Sequence, residues 1–411
     1  MAADQSLCMV KPAQRPEPKG ALKGALAGAR VAIVHDWLET PGGAELVLDE
    51  LLAIFPGADL FTMIDRRSPV NRAGSLKSVR ITTSWLQRIP GIKRNYRSWL
   101  PLMPLALRSL DVSRYDIVIS NSHAVAKGIR TGPAQLHLCY CLSPMRYAWD
   151  LKSQYLREAG LDGGMKGALA SAMLERMRLW DLANTAGVKA FATLSHYIAE
   201  RIERAYSRKS VVIYPPVDTT FFTPDKTPRE EIYVTASRFV PYKRVDMIAH
   251  AFRSMPGRRL VIIGDGPDLA KVRAAAGPNV ELAGRLSREQ VRSYLRRARA
   301  FVFAAEEDFG IAPVEAQACG TPVIAFGRGG VTETVRGLDS PTPTGVLYAE
   351  QTAESLAAAI ERFEALSPAI SGAQCRGNAL RFRAELFRDG FGGFVSREWE
   401  RFAERGVRAP F

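Results

Sequence analysis

Short apolar segments that run through a turn into a helical period dominate this chain of 411 residues, and they come in two separate series. That order leaves few folds open. A strand that is apolar throughout must be buried on both faces. A helix after each strand returns the chain to the same end of the sheet, so the sheet is parallel with helices on both sides. Residues 31–34 make the first such strand, and Pro41-Gly42-Gly43 opens a helical run at 44–48. The order recurs at 115–119, where Asn121-Ser122 leads into a helix-like 123–127, and again at 136–140, which runs into the loop 144–150. Near residue 210 the series restarts. The paired prolines within 211–218 disfavour helix and predict an extended segment, and 219–229 reads as a linker. Apolar strands then follow at 232–235, 259–263, 280–282, 300–303 and 322–325, with helices between them such as 245–254 and 288–299. The expectation is an α/β chain of two doubly wound halves, residues 30–208 and 209–380. A flexible, Pro/Ala/Gly-rich leader at 1–29 precedes them. A tail at 381–411, mostly helical and broken near 390–393, packs back on the body.

Hydrophobic residues make up 47% of the chain and charged ones 24%, a globular balance that excludes wholesale disorder. No run approaches the ~18 apolar residues of a spanning helix, and the apolar run after Lys11, Arg15, Lys19 and Lys23 is broken by charge, unlike a secretory signal. Five cysteines without a C-x-x-C pair argue against a zinc ribbon or a disulfide framework. Cys139 and Cys141 share one strand face and read as core. A cytosolic chain is expected.

Three stretches carry chemistry. Gly42 and Gly43 sit at a strand-to-helix turn, which is either an ordinary turn or a place where backbone N–H groups approach a phosphate. Arg238 and Lys243 follow the strand that opens the second half; as a pair they suit a diphosphate, as separate residues a solvated turn. Gly264-Asp265-Gly266-Pro267 adds a tight turn at the same sheet edge, where ligands of open α/β sheets collect. The third stretch runs from Glu306 to Ala316. Glu307 ends a strand and Glu315 falls on the next helix, so both carboxylates could accept hydrogen bonds from sugar hydroxyls. Backbone N–H groups around Phe309, Gly310 and Ile311 could meet phosphate or sugar oxygens. An exposed acidic loop is the alternative. No Asp-x-Asp triplet occurs and Glu306-Glu307-Asp308 are consecutive side chains that rarely converge, so the sequence requires no metal and no cofactor.

Residues 307–324 resemble the Glu-x7-Glu signature of retaining glycosyltransferases of family 4, which adopt the GT-B fold of two Rossmann-like domains facing a cleft. Arg238, Lys243, Gly264-Asp265-Gly266-Pro267, Gly284-Arg285 and Gly42-Gly43 fall in the order that family shows, and the resemblance runs from residue 30 to about 380. Asn121-Ser122-His123 and the loop 144–150 are similar to bacterial O-antigen and exopolysaccharide mannosyltransferases. The resemblance implies that Glu315 holds the nucleotide ribose and Glu307 a donor-sugar hydroxyl. It implies that Arg238 and Lys243 stabilise the leaving diphosphate, that Gly42 and Gly43 meet it across the cleft, and that His123 lies beside donor sugar and acceptor. Where relatives often carry a histidine after the strand bearing Cys139 and Cys141, this chain has Leu142.

Charge points to an anionic partner. Lys and Arg number 56 against 42 Asp and Glu, a net charge of +14. Residues 66–110 hold no Asp or Glu, while Arg88, Lys93, Arg94 and Arg97 stand among Trp85, Leu86, Ile89, Ile92, Trp99 and Leu100. Cations beside tryptophan and leucine suit an anionic membrane surface. A solvated face is the plainer reading, and no nucleic-acid-binding module is recognisable. The implied partners are a nucleotide-sugar donor, GDP-mannose favoured, a polyprenyl-diphosphate-linked glycan acceptor and the inner face of the cell membrane. A sugar-nucleotide epimerase on the same fold and a basic nucleic-acid-binding protein are the rival readings.

Overall fold

A computed structural model describes residues 26, 28–39, 42–67, 74–150, 152–158, 160–161, 163–366 and 369–405. The expected leader therefore lies almost wholly outside the described residues, as do Cys8 and Pro41. The strands of the first half are β1 (Val31–His35), β2 (Asp59–Thr62), β3 (Ile81–Thr83), β4 (Ile117–Ser122), β5 (Leu136–Cys141), β6 (Ala190–Thr193) and β7 (Ser210–Val212). Those of the second half are β8 (Ile232–Ala236), β9 (Arg259–Ile263), β10 (Val280–Gly284), β11 (Ala300–Phe303), β12 (Val323–Phe326) and β13 (Gly345–Tyr348). They form a seven-stranded sheet ordered β3-β2-β1-β4-β5-β6-β7 and a six-stranded sheet ordered β10-β9-β8-β11-β12-β13. Every strand pair is parallel. Two doubly wound sheets are thus present, as the strand series predicts.

The helices that matter below are α1 (Gly43–Ile54), α2 (Gly164–Asn184), α3 (His196–Tyr206), α4 (Ile311–Ala318) and α5 (Ala384–Glu404). Each sheet reverses its strand order at one point, between β1 and β4 in the first and between β8 and β11 in the second. At such a point the loops leave in opposite directions and open a crevice beyond the strand ends. Gly42, His123, Arg238 and Glu307 all follow those four strands.

Three sequence expectations are corrected. Ser210–Val212 pairs with β6 and so closes the first sheet, although the sequence reading put residue 209 onward in the second half. Residues 123–127 are not a helix but a bend and a single 3-10 turn, Ala126–Gly128. The cause is Asp36, whose carboxylate captures the backbone donors a helix would use, as described below. Within the described tail, Ala384–Glu404 is one unbroken helix, α5, through Gly390, Gly392 and Gly393. Each interior glycine costs about 1 kcal/mol against alanine. Phe387, Phe391 and Phe394 are fully buried, each burial contributing about 1.5–3 kcal/mol, so packing outweighs propensity. The helix lies back on the first half, with Phe387 and Phe391 edge-on to Tyr140 and Arg388 paired to Glu50 at 3.0 Å.

Candidate active site

Backbone geometry builds the floor of the cleft. Gly42 is the extended cap of α1 and Gly310, at φ +86°, the left-handed cap of α4; neither supplies a side-chain cap. The two helix starts meet across the cleft so closely that a Cβ on Gly43 would lie 2.9 Å from Ile311 Cδ1. Among the described residues, the N–H groups of Gly43, Phe309, Gly310 and Ile311 donate to no other group. Two sets of unpaired donors thus stand at the positive ends of two neighbouring helices. The Phe309 ring is turned away from it, packed on Phe382 and Tyr214.

Gly264 is required by contact. Its φ is +137°, and a Cβ there would fall 1.8 Å from the Ser237 carbonyl oxygen. This close approach locks the loop after β9 onto the loop after β8, and Phe239 N–H donates to the Asp265 carbonyl at 3.0 Å. The locked loop presents Arg238, which is exposed and has no ion-pair partner among the described residues. Lys243 is mostly buried and in contact with the Glu307 carboxylate. Burial, then Arg146, push its pKa down to about 7, and Asp308 opposes them. Glu315 is half-buried with no side-chain hydrogen bond among the described residues. Burial raises it to about 7; Arg288 pulls it down and Asp218 adds to the rise. It is a carboxylate left poised for a donor.

His123 stands on the other wall. Its side chain is 31% exposed, its Nδ1 lies 3.1 Å from Asp36 Oδ2, and its ring meets Trp37 edge-on. Burial lowers its pKa; Asp36 opposes this, while Arg146, Lys127 and Arg97 add to it, so the ring is neutral near pH 7. Asp36 is fully buried and accepts four backbone N–H groups, from His123 and Ala124 at 2.7 and 3.0 Å and from Val125 and Ala126 at 2.7 Å each. Burial by itself would raise it, but the His123 ring, these donors and His35 hold it below the ordinary carboxylate range. Sequence reasoning missed Asp36. The available signal was a charged residue directly after a buried strand at the ligand-bearing sheet edge.

A second feature was also missed. Asp308 reaches from the second half into a clamp of the first, paired with Arg146 and, at 3.2 Å, with Arg201. Ser195 Oγ donates to the Asp308 carbonyl at 2.6 Å. Glu333 accepts the N–H groups of His196 and Tyr197 at the start of α3, both at 2.9 Å. Glu306, Glu307 and Asp308 thus point to three different partners, Tyr197, Lys243 and Arg146. Beside this clamp lies a cavity of about 900 Å³ walled by Arg146, Trp149, Tyr242, Arg244, Glu306 and Asp308 among others. Arg238, Lys243, Glu307 and Glu315 do not line it.

Residues 216–379 match the family described as Glycosyl transferases group 1. Among solved structures, the chain resembles Anabaena HepE in complex with UDP with a TM-score of 0.64 at 15% identity, covering 90% of this chain and 100% of that one. It resembles sucrose-phosphate synthase from Thermosynechococcus elongatus with a TM-score of 0.67 at 20% identity, covering 90% and 98%. These likenesses show the fold, which is GT-B. The chain is 30% identical over 201 residues to a GDP-mannose-dependent alpha-(1-6)-phosphatidylinositol monomannoside mannosyltransferase of Mycolicibacterium smegmatis, 42% of this chain and 52% of that protein. It is 30% identical over 181 residues to a D-inositol 3-phosphate glycosyltransferase of Mycobacterium marinum, 39% and 38% of the two. The matches thus span about half or less of these curated relatives.

Proposed function

We propose that the protein is a retaining glycosyltransferase of family 4 that moves a sugar from a nucleotide-sugar donor to a lipid-linked glycan in cell-surface polysaccharide synthesis. GDP-mannose is the favoured donor. The observation that carries this reading is the meeting of the α1 and α4 helix starts, at Gly43 and Ile311, with Lys243 held on Glu307 of the loop that leads into α4. Breaking a sugar–diphosphate bond gathers negative charge on the leaving phosphate, and fixed N–H donors with two cations lower the barrier most when they are in place beforehand. A diphosphate beside Lys243 adds a second anionic partner to its pair with Glu307 and keeps the lysine charged. Glu307 then orients a donor hydroxyl, Glu315 takes the ribose, and His123 lies toward donor sugar and acceptor. The name of the M. smegmatis relative supports mannose from GDP.

An anionic membrane surface supplies the acceptor in this reading. Arg88, Lys93 and Arg94 are exposed and unpaired among the described residues, whereas Arg97 is bound to Glu39 at 3.0 Å. Leu86 and Ile92 of the same segment are buried in the core. Among the described residues no helix is long and apolar enough to cross a membrane.

The test is a thermal-stabilisation series with GDP-, UDP- and ADP-sugars, followed by release of nucleoside diphosphate on adding a lipid-linked acceptor. A bound donor at a hundredfold its Kd stabilises by about 2.7 kcal/mol. The reading fails if no nucleotide sugar raises the melting temperature.

A further inference from the structure

Helix α2 carries an apolar face that nothing in the described protein covers. Its inner face is buried through Leu174, Met177 and Asp181. Its outer face exposes Met165 at 91%, Leu169 at 73% and Leu179 at 56%. Met165, Leu169 and Met173 follow one another at four-residue steps and so form one stripe, with Leu179 beside it. Lys166 and Arg176 stand exposed along the same side. Scattered apolar side chains on a surface need no explanation, but a stripe of this exposure on one helix marks a contact surface.

A shared turn links the helix that carries the stripe to the basic segment. Helix α2 and the short helix Met103–Leu107 both pack on the turn Ala126–Gly128. Trp180 of α2 closes over that turn so tightly that a Cβ on Gly128 would lie 2.5 Å from its ring. The short helix exposes Leu105, and Leu102 just before it is also exposed. The exposed Arg88, Lys93 and Arg94 belong to the segment leading into it.

We propose that α2 is a bilayer-contacting helix, which sets Met165, Leu169 and Leu179 into the headgroup boundary of an anionic lipid surface while the neighbouring cations meet the headgroups. Charge selects lipid over a second copy of the chain. A two-fold dimer on this face would set Lys166, Arg176 and the basic segment against their own copies, whereas anionic headgroups neutralise them. Apolar area and cations act together in such binding, and neither suffices alone. The inner face of α2 ties this surface to the cleft. Asp181 pairs with Lys127 at 2.5 Å and accepts from Tyr206 Oη at 2.6 Å and from Trp149 Nε1 at 2.9 Å, and Trp149 walls the cavity between the halves. A bilayer under α2 therefore holds the cleft at a fixed height. The inference deepens the membrane part of the proposed function and rests on it.

The experiment compares the full chain with its M165E/L169E variant in sedimentation with phosphatidylcholine vesicles, with and without phosphatidylglycerol, at low and high salt. Melting curves, nucleotide-sugar binding and the oligomeric state without lipid are measured on the same samples. The wild type should bind the anionic vesicles less as salt rises, and the variant should bind at least tenfold more weakly, with unchanged melting and unchanged nucleotide-sugar affinity. Wild-type binding by the variant would overturn the role of α2, as would failure of the wild type to bind anionic vesicles. A wild-type dimer that the variant dissociates would assign the face to a second copy instead. Loss of nucleotide-sugar binding by the wild type would sink the transferase reading and leave the lipid result standing.

Discussion

The two halves approach the shared cleft by different means. The second presents charged side chains just past its strand ends: Arg238 and Lys243 after β8, Glu307 after β11, and Glu315 on the helix α4 that follows. The first presents mainly backbone and a brace. Its glycine turn brings α1 up to Ile311, Asp36 shapes the bend at 123–126 from 87 to 90 residues away, and Arg146 and Arg201 grip Asp308. A diphosphate needs charge held on rigid loops, which local sequence can build. Bringing a second wall to the right distance needs contacts remote in the chain, which local sequence cannot display.

Removing the charges should hurt most. The R238A/K243A double variant should slow transfer by on the order of 10²–10³-fold or more, since each contact meets charge that grows as the bond breaks. Calorimetry should show weaker binding of the nucleoside diphosphate. Unchanged nucleotide affinity would move the diphosphate elsewhere.

Breaking the brace comes next. Asp308→Ala leaves Arg146 without its carboxylate and takes one of two from Arg201, which keeps Asp150 at 2.5 Å. A loss of about 2 kcal/mol is expected, below that of a fully buried pair. Small-angle scattering should report a wider separation of the halves, and transfer should fall roughly tenfold. An unchanged scattering curve would deny the clamp its role in closure.

Glu315 offers a pH handle. Its pKa is 4.5 when unperturbed and about 7 in the folded protein. Between those values the folded state binds more protons than the unfolded one, so this group's contribution to stability is present at low pH and is lost as pH rises from 4.5 through about 7. In Glu315→Gln that part of the pH dependence should vanish from the melting temperature. Ribose hydroxyls favour the ionised carboxylate, so nucleotide binding near pH 6.5 should release protons in the wild type and fewer in the variant, a difference that calorimetry in buffers of unlike ionisation heat would read.

The smallest effect tests the meeting of the walls. Gly43→Ala should change stability by less than about 1 kcal/mol, because the contacted atom is the end of a flexible side chain. It should weaken nucleotide-sugar affinity about threefold by crowding the helix start. Adding Ile311→Val removes the Cδ1 atom that the new methyl group meets at 2.9 Å and should restore affinity. No rescue would mean that the backbone of α1, and not the contact, sets the effect.

The parallel α/β architecture and the placement of Arg238, Lys243, Glu307 and Glu315 just past β8 and β11 were legible in the sequence. Each depends on patterns a few residues long: an unbroken apolar run, a glycine where φ must be positive, a cation just past a strand. Tertiary structure alone decided the rest. It made 123–126 a bend because a buried carboxylate from another strand captures their N–H groups, and it carried α5 through three glycines because aromatic burial exceeds their cost. It moved Ser210–Val212 into the first sheet through pairing with β6. It buried Leu86 and Ile92 of the basic segment and left Met165, Leu169 and Leu179 of α2 exposed, although all are apolar residues near cations in the sequence. Which apolar face is covered depends on what the rest of the chain brings against it, and that is a property of the packed molecule.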